Sequence, residues 1–367
     1  MTGSTTETEE RSRRWPVKRV VQTVISIVVV VGIFVFAIPK IADYSAVWKT
    51  ISSMTWLELT TLVVATIFNL FTYWWANMAA LPRLTLAQAA VVTQTTTSVS
   101  NILPAGGAVG VGLTYSILGS WGFERGSISL YVLVTGIWNI FLKLSLPVIS
   151  LGLLAVTGQL TSSLLIAAVI GVGFLLAAVV LFGLMLWKRS FASRIGDRLG
   201  RIVSFLRKLA RRPAVSGWGE AAVRFRRETI DLVAKRWGWI TLTTVLSHLA
   251  LYFILLLSLR HVGVSEHEVS ALQVLAVFAF GRLISALPIT PGGLGLIEFG
   301  YIGGLVAAGG GKAQVVAAVL LFRTLTYGVQ IPIGAFTYMI WRRKRDWRKE
   351  PPTGISGTSE ETTAAAS

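Results

Sequence analysis

The chain has 367 residues, 53% of them hydrophobic and only 14% charged, with a mean hydropathy of +0.67. That composition excludes an ordinary water-soluble domain, because most of its surface would have to avoid water. A formal net charge of +17 suggests nucleic acid, but 25 of the 34 Lys and Arg lie in three blocks beside apolar runs, Arg11–Arg19, Lys188–Arg236 and Arg342–Lys349; these are the cytoplasmic flanks of a polytopic membrane protein, drawn to anionic headgroups rather than to nucleic acid.

In chain order, residues 1–18 form a basic cytoplasmic tail. Val20–Ile38 is too long for a secretory leader core and lacks a small-x-small cleavage pattern, so it reads as a retained anchor span. Leu57–Leu81, Ile128–Val156, Leu164–Trp187, Trp239–Leu259 and Ala313–Ile340 are also long enough to cross a bilayer. The expected fold is all-α, with about six full spans and two broken segments, 86–118 and 270–310. These fall in a first membrane half, 19–187, and a second, 239–340. Residues 341–367 are expected to make a basic and then disordered cytoplasmic tail.

The connector, 188–238, repeats Phe191, Ile195, Leu199, Ile202, Leu206 and Leu209 at three- and four-residue spacing, with Arg194, Arg198, Arg201, Arg207 and Lys208 on other faces. The pattern is that of a basic amphipathic helix lying on the cytoplasmic leaflet.

Both broken segments pair proline with glycine: Pro104, Gly106 and Gly107 in the first, and Pro288, Pro291, Gly292, Gly293 and Gly295 in the second. From each glycine pair to the next buried-looking proline, Gly107 to Pro147 and Gly293 to Pro332, is about 40 residues, the mark of an internal duplication. With the basic blocks placed inside, the first broken segment starts and ends on the cytoplasmic face and the second on the outer face. An inverted-topology repeat follows, with both termini cytoplasmic and two half-sites meeting near the midplane. Gln88, Thr93–Ser98, Ser100 and Asn101 are too polar to face lipid, which favours a re-entrant first segment whose side chains line protein or a wet cavity.

Interrupted helices offer free amide donors and a positive helix end, an anion site made of backbone. Glycines there admit a headgroup, although close helix packing would explain any single one. Four charges lie at membrane depth: Lys143, Arg282, Glu298 and Arg323. The last three can converge on the second break. Glu298 pairs with Arg282 or with Arg323, and either choice leaves positive charge for an anionic ligand. No cysteine occurs, so thiol chemistry and disulfides are excluded. His261 and His267 share a polar loop with Glu266 and Glu268 but lack ligand spacing, and no metal or cofactor is implied. His248, alone in an apolar run, reads as a hydrogen-bonded interior side chain.

The stretch Leu287-Pro-Ile-Thr-Pro-Gly-Gly-Leu-Gly-Leu-Ile-Glu298, with Leu321-Phe-Arg323 and Pro332, resembles the flippase-like membrane family related to the transmembrane region of lysylphosphatidylglycerol synthase, the multiple peptide resistance factor. Asn101-Ile-Leu-Pro104-Ala-Gly-Gly107 matches the weaker partner motif of that family. The resemblance covers about Val20–Ile340. It implies movement of a lipid with a polar headgroup between leaflets, with Pro288, Pro291, Gly292, Gly293, Gly295, Glu298 and Arg323 carrying the motif. Two departures stand out. Gly106–Tyr115 lacks the Glu and Arg that many relatives carry, and nothing after Ile340 matches a soluble aminoacyl-transfer domain.

The expected protein is therefore a non-enzymatic plasma-membrane flippase-like transporter whose partners are membrane lipids, anionic ones above all, with a homo-oligomer left open. An ion-coupled carrier of a small soluble substrate, using Glu298 as a proton site, is the first alternative. A scaffold whose basic connector recruits partners to anionic lipid is the second.

Overall fold

The computed structural model describes residues 44–103, 106–158, 162–209, 213, 216–286 and 290–344. The expected first span Val20–Ile38, both tails, Pro104 and Pro288 lie outside the described residues. Those described are helical, without a strand among them. In order they form α1 (Tyr44–Ser52), α2 (Trp56–Ala80), α3 (Leu86–Ile102), α4 (Gly106–Ser120), α5 (Arg125–Val156), α6 (Ser162–Trp187), α7 (Arg189–Leu209), α8 (Trp218–His261), α9 (Ala271–Ile284), α10 (Leu296–Ala307), α11 (Lys312–Arg323) and α12 (Gln330–Arg343).

Five stretches are long and apolar enough to span a membrane: α2, α5, the Val169–Trp187 part of α6, α8, and α11 with α12 as one run, Lys312–Arg343. They correspond to the five later spans expected from sequence. The arms of the two broken segments are shorter, 17 and 15 residues for α3 and α4 and 14 and 12 for α9 and α10. At 1.5 Å per residue each reaches at most about 25 Å, less than the hydrocarbon thickness.

The first arm of each pair starts on the same device. Thr85 caps α3 and Ser270 caps α9; the Gln88 and Gln273 backbone N–H groups donate to those hydroxyls, and the glutamine side chains accept from the cap N–H groups at 3.1 and 2.8 Å. These reciprocal bonds satisfy amides that water would otherwise have to serve.

Packing crosses between the halves. The broadest helix–helix contact joins α2 to α8, α3 lies along α12, and α9 lies along α5. A buried aromatic column runs through the second half, where Phe278 stacks on Tyr301 with centroids 6.5 Å apart and Tyr301 meets Phe322 edge-on at 5.8 Å. Gly281 must be glycine, since a Cβ there would overlap the Tyr301 ring. By contrast, none of the described side chains of α6 is buried, which leaves it as a lipid-facing outer helix.

The connector is more than a surface helix. α7 pairs with the first part of α8, and Gly196, Gly200 and Gly219 let the two approach, Gly200 lying under the Trp218 ring.

Candidate functional site

A cavity of about 210 Å³ opens between the end of α3 and the Pro291–Gly293 turn, where the two broken segments come closest. α3 contributes one stripe to its wall: Thr93, Thr97 and Asn101 recur every four residues, with Gln94 beside them. The rest of the polar run on α3 is used elsewhere. Thr95 shares a hydrogen bond with Thr337 at 2.9 Å, Ser98 donates to the Ile331 carbonyl at 3.1 Å, and Ser100 donates to the Gly106 carbonyl at 3.1 Å. Gln88 serves the α3 cap. Its polarity thus splits between the cavity and the α3–α12 seam, which is why a lipid-facing helix could not carry it.

The second half supplies the charge. Arg282 from α9 and Arg323 from α11 both line the cavity, together with Gly292 and Tyr327. Glu298, in the first turn of α10 and 1% exposed, sits behind Arg323 and accepts from its Nε at 2.6 Å. Arg323 Nη2 also reaches the Gly292 carbonyl at 3.3 Å. Of the two pairings open in the sequence, the structure selects Arg323. The first-turn position of Glu298 adds the positive end of α10 to that pairing.

Arg282 has no carboxylate partner among the described residues. Its Nη2 donates to His248 Nε2 at 3.3 Å, which leaves His248 Nδ1 as the donor to the Thr244 carbonyl at 3.1 Å. His248 is therefore hydrogen-bonded in the interior, as its isolation in the sequence suggests, and it is also the acceptor that orients a guanidinium. The Arg282 Nε is buried without a partner, as are Glu298 Oε2 and Gln94 Oε1. Lys143 on α5 lies within electrostatic reach of both Arg282 and His248. Among the described residues around this cavity one carboxylate faces two guanidinium groups, with the Lys143 amine nearby, a surplus of positive charge where charge is costly.

Tyr327 closes the other wall. It sits in a widened turn, Thr324–Gly328, between α11 and α12. Its ring lies under the Arg323 guanidinium at 4.6 Å and its hydroxyl donates to the Asn101 carbonyl at 2.7 Å. A Cβ on Gly292, where φ is 57°, would overlap that ring. No sequence motif announced Tyr327, which lies four residues after Arg323 inside the widened turn.

The remaining glycines serve the backbone. Gly293 and Gly295 take φ of 72° and 81°, and Gly295 caps α10. Gly106 packs directly on the Ser100 backbone, whereas Gly107 has open space around it, and neither lines the cavity. Pro291 lies in the turn that carries Gly292.

In the loop after α8, Arg260 forms an ion pair with Glu266, and Glu268 accepts from the Ser265 backbone N–H at 2.7 Å. That N–H is the main reason the Glu268 carboxyl is held below its usual range. Both carboxylates in this loop are thus occupied in shaping it.

The family model for the lysylphosphatidylglycerol synthase TM region matches residues 23–334. The chain belongs to that family. No individual curated protein matches it. The matched range of this lysylphosphatidylglycerol synthase-type membrane region takes in both broken segments, the cavity between them and Pro332. The protein is accordingly an integral membrane protein of a family related to lipid handling.

Proposed function

We propose that the protein is a flippase-like transporter that carries a lipid with an anionic or zwitterionic headgroup between the leaflets of the plasma membrane, with both termini cytoplasmic. One observation carries the proposal: two guanidinium groups, Arg282 and Arg323, share a polar interior cavity with one carboxylate among the described residues, Glu298, to balance them. A phosphate entering there meets forked donors already in place, and Glu298 holds Arg323 in position for it.

The packing supports an inverted repeat with re-entrant hairpins. Exchanging the halves maps α2 onto α8, α3 onto α9 and α5 onto the α11–α12 run. The α3–α12 contact then becomes the α9–α5 contact, and the α2–α8 contact becomes itself. Matching Thr85/Gln88 and Ser270/Gln273 caps, and arms too short to cross alone, favour the same reading. On another side of the second hairpin an apolar groove of about 470 Å³ runs past Ala276, Gly281, Gly300 and Gly304, and offers hydrocarbon a place beside the polar cavity.

The chemistry asked of the protein is positioning and alternate exposure, with no bond made or broken. Proteoliposomes holding a fluorescent anionic phospholipid test this: the purified protein should let dithionite, added outside, reach dye that began in the inner leaflet. An inner-leaflet pool that stays protected, with correctly folded protein present, would overturn the proposal.

A further inference from the structure

The second polar concavity lies outside the transport region, at the junction of α6, α7 and α8. A groove of about 560 Å³ is lined by Arg189, Ser190 and Ser193 from the first turns of α7 and by Glu220, Arg224 and Arg227 from one face of α8. Three guanidinium groups face one carboxylate, and none of the three is ion-paired among the described residues. Asp197, the further carboxylate on α7, borders the groove: it packs over Gly219 and accepts from Ser193 at 3.4 Å, and both of those residues line it. Three exposed guanidinium groups around one concavity focus positive potential there and attract an anion.

The position of the groove says where that anion comes from. It begins at Arg189, two residues after the spanning helix α6 ends at Trp187, and Lys188 lies 5.6 Å from the Trp187 ring centre. A Trp followed by basic residues marks the headgroup level of a bilayer. Arg226, adjacent to the groove arginines on α8, donates to the Trp187 carbonyl at 3.0 Å and so fixes α8 against the end of α6. The arginines are therefore held at the height of lipid phosphates.

We propose that this groove is a binding site for the phosphate of an anionic phospholipid in the cytoplasmic leaflet, separate from the transport cavity. Three guanidinium groups against Glu220 and the bordering Asp197 leave a positive surplus, which suits an anionic lipid phosphate better than a zwitterionic headgroup. The ligand locks the α7–α8 hairpin onto the end of α6.

The test is native mass spectrometry of the full-length protein, delipidated in detergent and then titrated with cardiolipin or, separately, with phosphatidylcholine. The expected result is one tightly held cardiolipin in the wild type, and at least a tenfold weaker site in the triple variant Arg189→Gln, Arg224→Gln, Arg227→Gln. The Arg→Lys triple variant should keep most of the binding, which controls for folding. An Arg194→Gln, Arg198→Gln, Arg201→Gln triple variant removes equal charge outside the groove and should bind as the wild type does. Arg282→Gln should leave this site intact whether or not the transport proposal holds. Loss of the bound cardiolipin in Arg282→Gln instead would place it in the transport cavity and overturn the assignment. Equal loss in both glutamine triples would reduce the effect to bulk charge, with the same consequence. Inorganic pyrophosphate bound as tightly as cardiolipin, mole for mole, would identify a soluble anion as the ligand and also overturn it.

Discussion

The hydroxyl of Tyr327 donates to the backbone carbonyl of Asn101 across 2.7 Å, linking the turn after Arg323 to the last turn of α3. Asn101 immediately precedes the first break and Tyr327 packs against Gly292 in the second, so one side chain ties the two interrupted segments together. Removing the hydroxyl in Tyr327→Phe should cost about 1 kcal/mol, the net worth of one hydrogen bond. Gly292→Ala should cost more, because the added methyl meets the Tyr327 ring at a backbone angle that disfavours side chains. Thermal melting in detergent checks both. If the tie also controls access to the cavity, Tyr327→Phe will change translocation rate far more than melting temperature.

The Glu298–Arg323 pair makes a second, quantitative expectation. Glu298 is 1% exposed and Arg323 14%, so little solvent screens the pair. Breaking such a pair from one side strands a buried charge and costs about 3–5 kcal/mol. Glu298→Gln and Arg323→Gln should each destabilise by that order. The double variant should be far less damaged than the sum of the two, since it strands no charge. Denaturant unfolding of all four proteins gives the coupling directly, and additive losses would show that the pair is energetically idle.

Arg282 should behave in the opposite way. It has no carboxylate partner among the described residues, its Nε is unpaired, and Lys143 is close enough to repel it. Arg282→Gln should leave melting temperature unchanged or slightly raised while removing lipid translocation. Arg282→Lys keeps the charge but loses the fork that suits phosphate, and should retain only part of the activity. A marked loss of stability in Arg282→Gln would mean that the guanidinium serves the fold and not a ligand.

Much of this was legible in the sequence because membranes impose blunt rules. Runs of apolar residues gave the five later spans, and cost alone picked out Lys143, Arg282, Glu298 and Arg323. Glycines with proline beside them marked the breaks. Three things were not legible. Whether Glu298 takes Arg282 or Arg323 depends on the angle between α10 and α11, which no spacing rule fixes. The partnership of His248 with Arg282 joins helices 34 residues apart through tertiary packing. Tyr327 reaches the cavity from a widened turn whose register no helical periodicity predicts. The first-half glycines attracted notice for their resemblance to the second-half set, yet Gly106 is spent on contact with Ser100, and it is the threonine and asparagine stripe of α3 that faces the cavity.

The inverted repeat can be tested through the loops rather than the breaks, because a transporter that alternates access exposes its interior to each side in turn. The chain has no native cysteine, so single introduced thiols report without background. Glu124, which follows the first hairpin, and His267, which precedes the second, are both exposed. In oriented membrane vesicles, Glu124→Cys should react with an impermeant maleimide only from the cytoplasmic face and His267→Cys only from the outer face. The proposed opposite assignment rests on charge: Arg83 and Arg125 flank the first hairpin, and the positive-inside rule puts the long basic connector, and with it the start of α8, inside, which would send the end of α8, at His261, out. Were both thiols labelled from one face, the hairpins would enter from the same side. The correspondence of α3 with α9 would then be a likeness of sequence without the antiparallel symmetry on which a shared midplane site depends.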